Sequence, residues 1–345
     1  MPYTRAAGYD CRISPWRPQL PQPLTIALTV RFDEAGLDAI RAVDPRIELI
    51  NLAEHFGAAM PEGEAKASVL SGLRSAEVIA GSNRLTTEYF DAAPNLRWLQ
   101  VMNAGLERLH RQGILQRGFI VTNGSGLAAA PIAEWCIGAM FALAKRFPGY
   151  VQHQGRHEWL RIRGATAIEG KTCGIVGLGA IGRATAVRAR ALGMRVIASR
   201  RTVEGSDPDC DELIPYSRLH DLLAQSDFVV LCVPLTEETT GLIDDAALRA
   251  MKPTAHILNI ARGPVIDQDA LIAALREGRL AGAALDVTTP EPLNPESALW
   301  DLPNVLITPH TSGSSDRRDG TAAALFVENL KRYIKGEKLL NLARP

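Results

Sequence analysis

Three short motifs set acid–base and anion-binding side chains just beyond apolar runs that read as β-strands: Asn259-Ile260-Ala261-Arg262-Gly263, Asp286-Val287-Thr288-Thr289-Pro290-Glu291-Pro292 and Ile307-Thr308-Pro309-His310. Doubly wound sheets bind ligands at this place, outside the carboxyl ends of their strands. Histidine ordinarily titrates at about 6.5, so it can pass a proton in either direction near neutrality. A carboxylate beside it favours the protonated form. The planar fork of an arginine can hold a carboxylate and polarise the carbonyl next to it. A proton shuttle, a partner that supports its protonation and a carboxylate anchor are what hydride transfer to or from a secondary alcohol requires. Read singly, each residue has a plainer meaning: Arg262 a surface turn, Glu291 a solvated acid between prolines, His310 a histidine satisfied at a strand end.

Hydride chemistry needs a carrier, and an upstream element supplies a place for one. Cys173-Gly174-Ile175-Val176 leads into Gly177-Leu178-Gly179-Ala180-Ile181-Gly182, a G-x-G-x-x-G run at a strand-to-helix junction. There the first glycine makes the tight turn, the second lets the backbone approach a pyrophosphate, and the third lets helix and strand pack closely. The pyrophosphate sits on the helix N-terminus, where free N–H groups and the macrodipole favour anions. Taken alone, the glycines also fit a plain tight turn. The Ala- and Arg-rich run 183–192, the stop at Gly193 and an apolar strand over 194–199 complete a βαβ unit around them.

In such a unit an acid about 20 residues past the glycines accepts hydrogen bonds from the adenosine ribose and selects NAD. Arg200 stands at that place, followed by Arg201. A guanidinium there would pair with a 2′-phosphate in charge-assisted fashion, and the repelling carboxylate is gone. A solvated surface pair is the alternative.

The elements that must position these residues alternate along the chain. Strands are expected over 24–30, 47–52, 76–80, 96–102 and 119–122, with a helix over 34–42 and polar or helical segments between, as a parallel α/β sheet requires. An almost wholly apolar run over 131–147 reads as one helix buried between layers or against a subunit. Later strands are expected over 228–233, 256–259, 283–287 and 305–308. Past His310 the chain turns through Thr311-Ser312-Gly313-Ser314-Ser315 into an amphipathic helix over 319–334 with no strand after it, which could return to the first domain.

Composition sets the outer bounds. The chain has 345 residues, 46% hydrophobic and 22% charged, long enough for two soluble domains. Lys plus Arg and Asp plus Glu each number 38, so nothing points to a nucleic acid or a membrane surface as partner. Cys11, Cys136, Cys173, Cys210 and Cys232 are odd in number and lack C-x-x-C spacing. They read as reduced thiols of a cytosolic protein, with Cys173 and Cys232 as small core residues, and no metal site is expected. No apolar stretch approaches the ~20 residues of a membrane span. Residues 1–23 are proline-rich and lack a secretory pattern; they read as an extended arm.

On these motifs, together with Pro234-Leu235-Thr236-Glu237-Glu238-Thr239-Thr240-Gly241-Leu242-Ile243, Ala284-Leu285-Asp286-Val287 and the run from Leu299 to His310, the chain resembles the D-isomer-specific 2-hydroxyacid dehydrogenase family from about Leu24 onward. The resemblance implies two doubly wound parallel-sheet α/β domains with an interdomain cleft. A Rossmann dinucleotide-binding domain, 126–312, is inserted in a flavodoxin-like substrate domain, 24–125 and 313–345, after an N-terminal extension, 1–23.

The resemblance also implies roles. Arg262 binds the 2-oxo acid, His310 is the general acid/base, Glu291 pairs with His310, and Asp286 meets the nicotinamide carboxamide. Backbone N–H groups of Asn103, Ala104 and Gly105 hold the substrate carboxylate, although Glu107 stands where the family often has aspartate. The cofactor set comprises Gly177, Gly179, Ala180, Ile181, Gly182, Ser199, Arg200, Arg201, Cys232, Pro234, Thr239, Ile260, Ala261, Arg262, Asp286, His310 and Gly313. Basic residues in place of the family's acid imply NADP(H) rather than NAD(H), and with it the glyoxylate and hydroxypyruvate reductases, acting on a small 2-oxo acid as cytoplasmic homodimers. Trp159 reads as a buried packing residue, or, as in some such reductases, as one that reaches a neighbour's substrate site; Trp300 has the same two readings. The rival of another class is a dinucleotide-sensing scaffold of the corepressor type, which keeps the same residues with little turnover.

Overall fold

The computed structural model describes residues 23–57, 59–201, 205–316 and 318–343, without the side chains of Arg318 and Asp319. Apart from Pro23, the expected N-terminal extension, Cys11 included, lies outside the described residues. In chain order the strands are β1 (Leu24–Leu28), β2 (Ile47–Asn51), β3 (Val78–Gly81), β4 (Trp98–Val101), β5 (Ile120–Thr122), β6 (Thr172–Val176), β7 (Arg195–Arg200), β8 (Glu212–Pro215), β9 (Phe228–Leu231), β10 (His256–Asn259), β11 (Gly282–Leu285) and β12 (Val305–Ile307). The helices are α1 (Glu34–Arg41), α2 (Gly63–Gly72), α3 (Thr87–Asp91), α4 (Glu107–Arg111), α5 (Ala129–Ala144), α6 (Phe147–Gly155), α7 (Ala180–Ala191), α8 (Leu219–Gln225), α9 (Asp245–Ala250), α10 (Gln268–Arg276) and α11 (Arg318–Lys335). They fall into two compact units, one ending at Leu127 and resuming at Asp316, the other spanning Ala128–Ser315.

The first unit is a five-stranded parallel sheet in the order β2-β1-β3-β4-β5, the flavodoxin-like winding. Every residue of β1, β3 and β4 is buried, so these strands read as continuous apolar runs rather than alternating ones. Helix α11 belongs to this core: Phe326 and Tyr333 lie on Trp98 with ring centroids 5.3 and 5.2 Å away. A buried polar chain fixes its register. Trp98 Nε1 donates to Thr122 Oγ1 at 2.8 Å, Thr122 Oγ1 donates to Gln100 Oε1 at 2.8 Å, and Asn329 Nδ2 of α11 donates to the same Gln100 oxygen at 2.9 Å. Buried polar groups paired in this way specify one seating for the helix, since a slip would orphan them all.

The second unit is a seven-stranded parallel sheet in the order β12-β11-β10-β9-β6-β7-β8. Set in sequence, this is the Rossmann order, reversing between β6 and β9. One face packs on α8, α9 and α10 through residues such as Leu222, Leu248, Ile257 and Leu271. The other packs on α5 and α7 through Met140, Leu143, Ile175 and Ala186. Each such fully buried Leu or Ile contributes about 1.5–3 kcal/mol. Asp244 and Asp267 cap α9 and α10, accepting from the backbone N–H groups of Ala247 and of Asp269 and Ala270.

Two expectations are corrected and one strand is added. The apolar run over 131–147 is not one helix: α5 ends at Ala144, Arg146 turns left-handed at φ 62°, and α6 starts anew at Phe147, followed by Pro148, which has no N–H to continue the earlier ladder. β8 is an added strand that the sequence reading passed over. Of the two readings given to Trp159 and Trp300, buried packing does not hold: Trp159 is completely exposed on the arm after α6, and Trp300 is half exposed with its Nε1 donating to Asn294 O at 3.0 Å. Cys136, Cys173 and Cys210 are buried free thiols. Burial pushes Cys136 up to about 12 and raises Cys173 and Cys232, which makes them poor nucleophiles. Among the described residues no helix is long and apolar enough to cross a membrane.

Candidate active site

β10, β11 and β12 are adjacent and parallel, so the loops leaving their carboxyl ends emerge side by side. These loops carry Arg262, Glu291 and His310. His310 Nδ1 lies 2.8 Å from Glu291 Oε2. A carboxylate can only accept from it, so Nδ1 carries the proton and Nε2 is the nitrogen left for a substrate. The ring is 51% exposed, open to a ligand. Glu291 is steadied in turn by Thr288, whose N–H donates to Oε1 at 3.3 Å. Gln268, the first residue of α10, clamps the same loop: its Nε2 donates to Thr289 O at 2.7 Å and its Oε1 accepts from Thr289 N at 3.0 Å.

His310 has a left-handed backbone, φ 56°, a conformation that costs a non-glycine residue roughly 1–2 kcal/mol. What holds it there is Asp286. The Asp286 carbonyl accepts from His310 N at 2.8 Å. Its carboxylate, 2% exposed, accepts from Thr308 Oγ1 (2.5 Å), Thr311 N (2.8 Å), Ser312 N (3.1 Å to each oxygen) and Ser312 Oγ (2.5 Å). A carboxylate offers about four lone-pair sites. Those of Asp286 are taken up by the segment around His310, which leaves little capacity for the nicotinamide carboxamide that resemblance assigned to it.

The loop of Arg262 is braced by Asn259, whose Oδ1 accepts from Ala261 N at 3.0 Å and whose Nδ2 donates to Arg262 O at 3.1 Å. Arg262 Nη1 donates to Ala261 O at 2.7 Å. A Cβ on Gly263 would stand 2.0 Å from Thr288 O, so glycine is what lets the Arg262 loop lie against the Glu291 loop. Ile260 and Ala261 are buried beneath it.

The glycine run behaves as its spacing implied. Gly177 has φ 103°, and a Cβ there would meet the Cys232 backbone at 2.9 Å; a Cβ on Gly182 would meet Gly177 O at 2.3 Å. The protein's own packing therefore demands both. A Cβ on Gly179 would meet nothing within 4 Å, so no protein atom explains that glycine, whereas a pyrophosphate laid on the N-terminus of α7 beside Ala180 and Ile181 would. Pro234 and Thr239 form a closed turn, Thr239 Oγ1 donating to Pro234 O at 2.6 Å. Gly313 sits against Ala128. At the end of β7, Ser199 Oγ and Arg200 Nε are buried and have no hydrogen-bond partner. Two orphaned polar atoms at the ribose end fit a dinucleotide that brings its own acceptors.

Asn103, Ala104 and Gly105 lie in the first unit, past β4, and Glu107 opens α4. The three carbonyl oxygens accept from Gly124 N (2.9 Å), Asn123 Nδ2 (2.9 Å) and Asn83 Nδ2 (3.1 Å). Because N–H and C=O oppose each other across a trans peptide, the N–H groups of Ala104 and Gly105 point away from these donors. The bracing residues Asn83, Asn123 and Gln268 escaped the sequence reading, as did Arg183 and Asp207, because their partners lie far off in the chain.

A family model, described as D-isomer specific 2-hydroxyacid dehydrogenase, NAD binding domain, matches residues 137–312. The chain belongs to the D-isomer specific 2-hydroxyacid dehydrogenase family. It is similar to the glyoxylate reductase of Korarchaeum cryptofilum, 34% identical over 309 residues that cover 86% of this chain and 92% of that protein. It is also similar to the glyoxylate reductase of Thermococcus kodakarensis, 39% identical over 268 residues, 74% of this chain and 79% of that one. A solved D-isomer specific 2-hydroxyacid dehydrogenase of Xanthobacter autotrophicus, in complex with NADPH and MES, matches with a TM-score of 0.76 at 29% identity, over 94% of this chain and 98% of that one. As a D-2-hydroxyacid dehydrogenase the protein is an NAD(P)-dependent oxidoreductase built on two parallel-sheet α/β units.

In a D-2-hydroxyacid dehydrogenase whose histidine is held as it is here, Asp286→Asn should disturb catalysis without unfolding the chain, since an amide NH2 would oppose the N–H groups of Thr311 and Ser312. A misplacement of about 1 Å at the reacting group costs about 100-fold, so kcat should fall by about that factor while the thermal melt stays cooperative. Unchanged kcat in the folded variant would remove Asp286 from the positioning of His310.

Proposed function

We propose that this protein reduces a small 2-oxo acid of the glyoxylate or hydroxypyruvate kind to the D-2-hydroxy acid, using NADPH. The observation that carries the reading is the 2.8 Å pair of His310 and Glu291, which leaves Nε2 for a substrate oxygen at the sheet edge where the loop of Arg262 also emerges. Reduced nicotinamide, when bound, supplies a hydride to C2 of the oxo acid. The remaining work falls to the chain. His310 Nε2 gives its proton to the oxygen as the carbonyl becomes a hydroxyl, and Glu291 stabilises the imidazolium that precedes this step. Arg262 holds the substrate carboxylate and polarises the carbonyl. The N–H groups of Asn103, Ala104 and Gly105 are the further carboxylate donors.

Gly177, Gly179 and Gly182, with Ala180 and Ile181, would hold the pyrophosphate. Ser199, Arg200 and Arg201 would hold the 2′-phosphate, with Cys232, Pro234, Thr239, Ile260, Ala261 and Gly313 lining the rest. Three points support NADPH: a cation replaces the ribose-binding acid at Arg200, Ser199 Oγ and Arg200 Nε have donors to spare, and the similar Xanthobacter protein holds NADPH. The substrate class rests on the relatives named glyoxylate reductase. The four described cysteines are unbridged, as in a reducing compartment such as the cytoplasm.

Steady-state rates on glyoxylate, hydroxypyruvate and pyruvate with each cofactor test the reading. Turnover should be highest with NADPH and one of the first two acids, and His310→Gln should lower kcat by about 10²–10⁴-fold with NADPH binding retained. Tight cofactor binding without turnover on any of the three would instead favour the dinucleotide-sensing scaffold.

We further infer a homodimer through α6 and the arm that follows it. Phe147, Val151, Trp159 and Leu160 are exposed there, yet the arm is pinned by Lys145 Nζ on Thr166 O (2.9 Å), Thr166 N on Ala144 O (2.9 Å) and Tyr150 OH on Ile162 O (3.2 Å). A fixed apolar strip of this kind marks an interaction surface. Light scattering should give a dimer that Val151→Glu with Trp159→Glu converts to monomer; a monomeric parent protein would contradict the inference.

A further inference from the structure

Just past the end of β7 a carboxylate stands between two guanidinium groups. Asp207, its side chain 5% exposed, is gripped by Arg183 of α7 through two parallel hydrogen bonds, Nη1 to Oδ1 and Nη2 to Oδ2, each 2.8 Å. Arg183 Nη1 also reaches Asp209 Oδ2 at 2.7 Å. Arg200 approaches the same Asp207 only at arm's length: Nη1 is 3.5 Å from Oδ2. Its Nε has no partner at all.

Arg183 is oddly placed for a helix. It lies one turn from the N-terminus of α7, the end at which the macrodipole disfavours a cation by about 0.3–1 kcal/mol. Two carboxylates offset that cost. The Arg183 fork is also the main reason the Asp207 carboxyl is held below its ordinary range, the charge of Arg200 adding the smallest share. The carboxylate is therefore satisfied chiefly by Arg183, while Arg200 spends only the long 3.5 Å Nη1 contact on it and keeps its Nε without a partner. Without Arg183, the buried Asp207 would have Arg200 as its nearest cation. Arginine and carboxylate prefer the two-bond fork, so Arg200 would be drawn into it.

We propose that Arg183 is a positioning residue for cofactor selectivity: by taking both oxygens of Asp207 it keeps the Arg200 guanidinium available to a 2′-phosphate. The inference deepens the NADPH reading and rests on it. It names the Arg183–Asp207 pair, rather than Arg200 alone, as the determinant.

Calorimetric titration of the cofactor-free protein with adenosine 2′,5′-bisphosphate and adenosine 5′-monophosphate isolates the 2′-phosphate from hydride chemistry. The parent protein should prefer the bisphosphate, and Arg200→Gln should abolish the preference. Arg183→Gln should weaken the bisphosphate by about tenfold, the worth of a charged hydrogen bond, with the monophosphate unchanged. Adding Asp207→Asn to Arg183→Gln should restore the preference, and Asp207→Asn alone, which needs no buried charge to be tolerated, should keep it. A parent protein that binds both nucleotides alike overturns the NADPH reading itself. A preference that Arg200→Gln abolishes but Arg183→Gln leaves intact, equal weakening of both nucleotides in Arg183→Gln, or loss of preference in Asp207→Asn overturns this inference alone.

Discussion

The carboxylate of Asp286 is the tie on which the seating of His310 depends. It sits one residue past β11, buried, and gathers Thr308, Thr311 and Ser312 from the neighbouring loop, while its carbonyl takes the N–H of His310. That web compensates the left-handed backbone at His310 and turns Nδ1 onto Glu291. Local strain at a functional residue persists only where its surroundings over-determine it, and here the surroundings are one side chain and the three residues it holds.

A second buried carboxylate, Asp207, lies past the end of β7. A buried carboxylate is costly unless its lone pairs are filled, whether by neutral donors or by a paired guanidinium. The lone pairs of Asp286 are filled by hydroxyls and N–H groups of the segment around His310. Asp207 is paired by Arg183, so Arg200 meets it only at 3.5 Å and keeps its Nε without a partner. The parallel sheet brings this to bear on function. With every strand pointing one way, the carboxyl ends of β6, β7, β9, β10, β11 and β12 open on one edge, and each candidate residue of the second unit lies at or just past such an end.

Much of this was legible in the sequence because it rests on short-range signals. Apolar runs located most strands, three glycines located the turn before α7, and Arg262, Glu291 and His310 announced themselves by type and by place at strand ends. Strand bounds erred outward, as at 228–233 against Phe228–Leu231, because the loop residues that follow are apolar too. β8 was missed since Glu212-Leu213-Ile214-Pro215 is short and only half-buried at an edge, without alternation. The break at Arg146 was hidden by apolar residues on both sides of it. What sequence could not reveal was pairing at a distance: Arg183 finds Asp207, Gln268 finds Thr289 and Asn329 finds Gln100 only through the fold. Of the two readings of Trp159, exposure removes the buried packing one, because a large apolar side chain is displayed where core was expected.

In the proposed function, one edge of the seven-stranded sheet binds both the hydride source and the oxo acid, with His310 Nε2 as proton donor. A crystal structure with NADPH and oxamate, an unreactive analogue of a 2-oxo acid, tests it most directly. The oxamate carbonyl oxygen should lie within hydrogen-bond distance of His310 Nε2, its carboxylate on Arg262 and the 2′-phosphate on Arg200. Oxamate bound away from His310 and Arg262, with nicotinamide elsewhere than this edge, would contradict it.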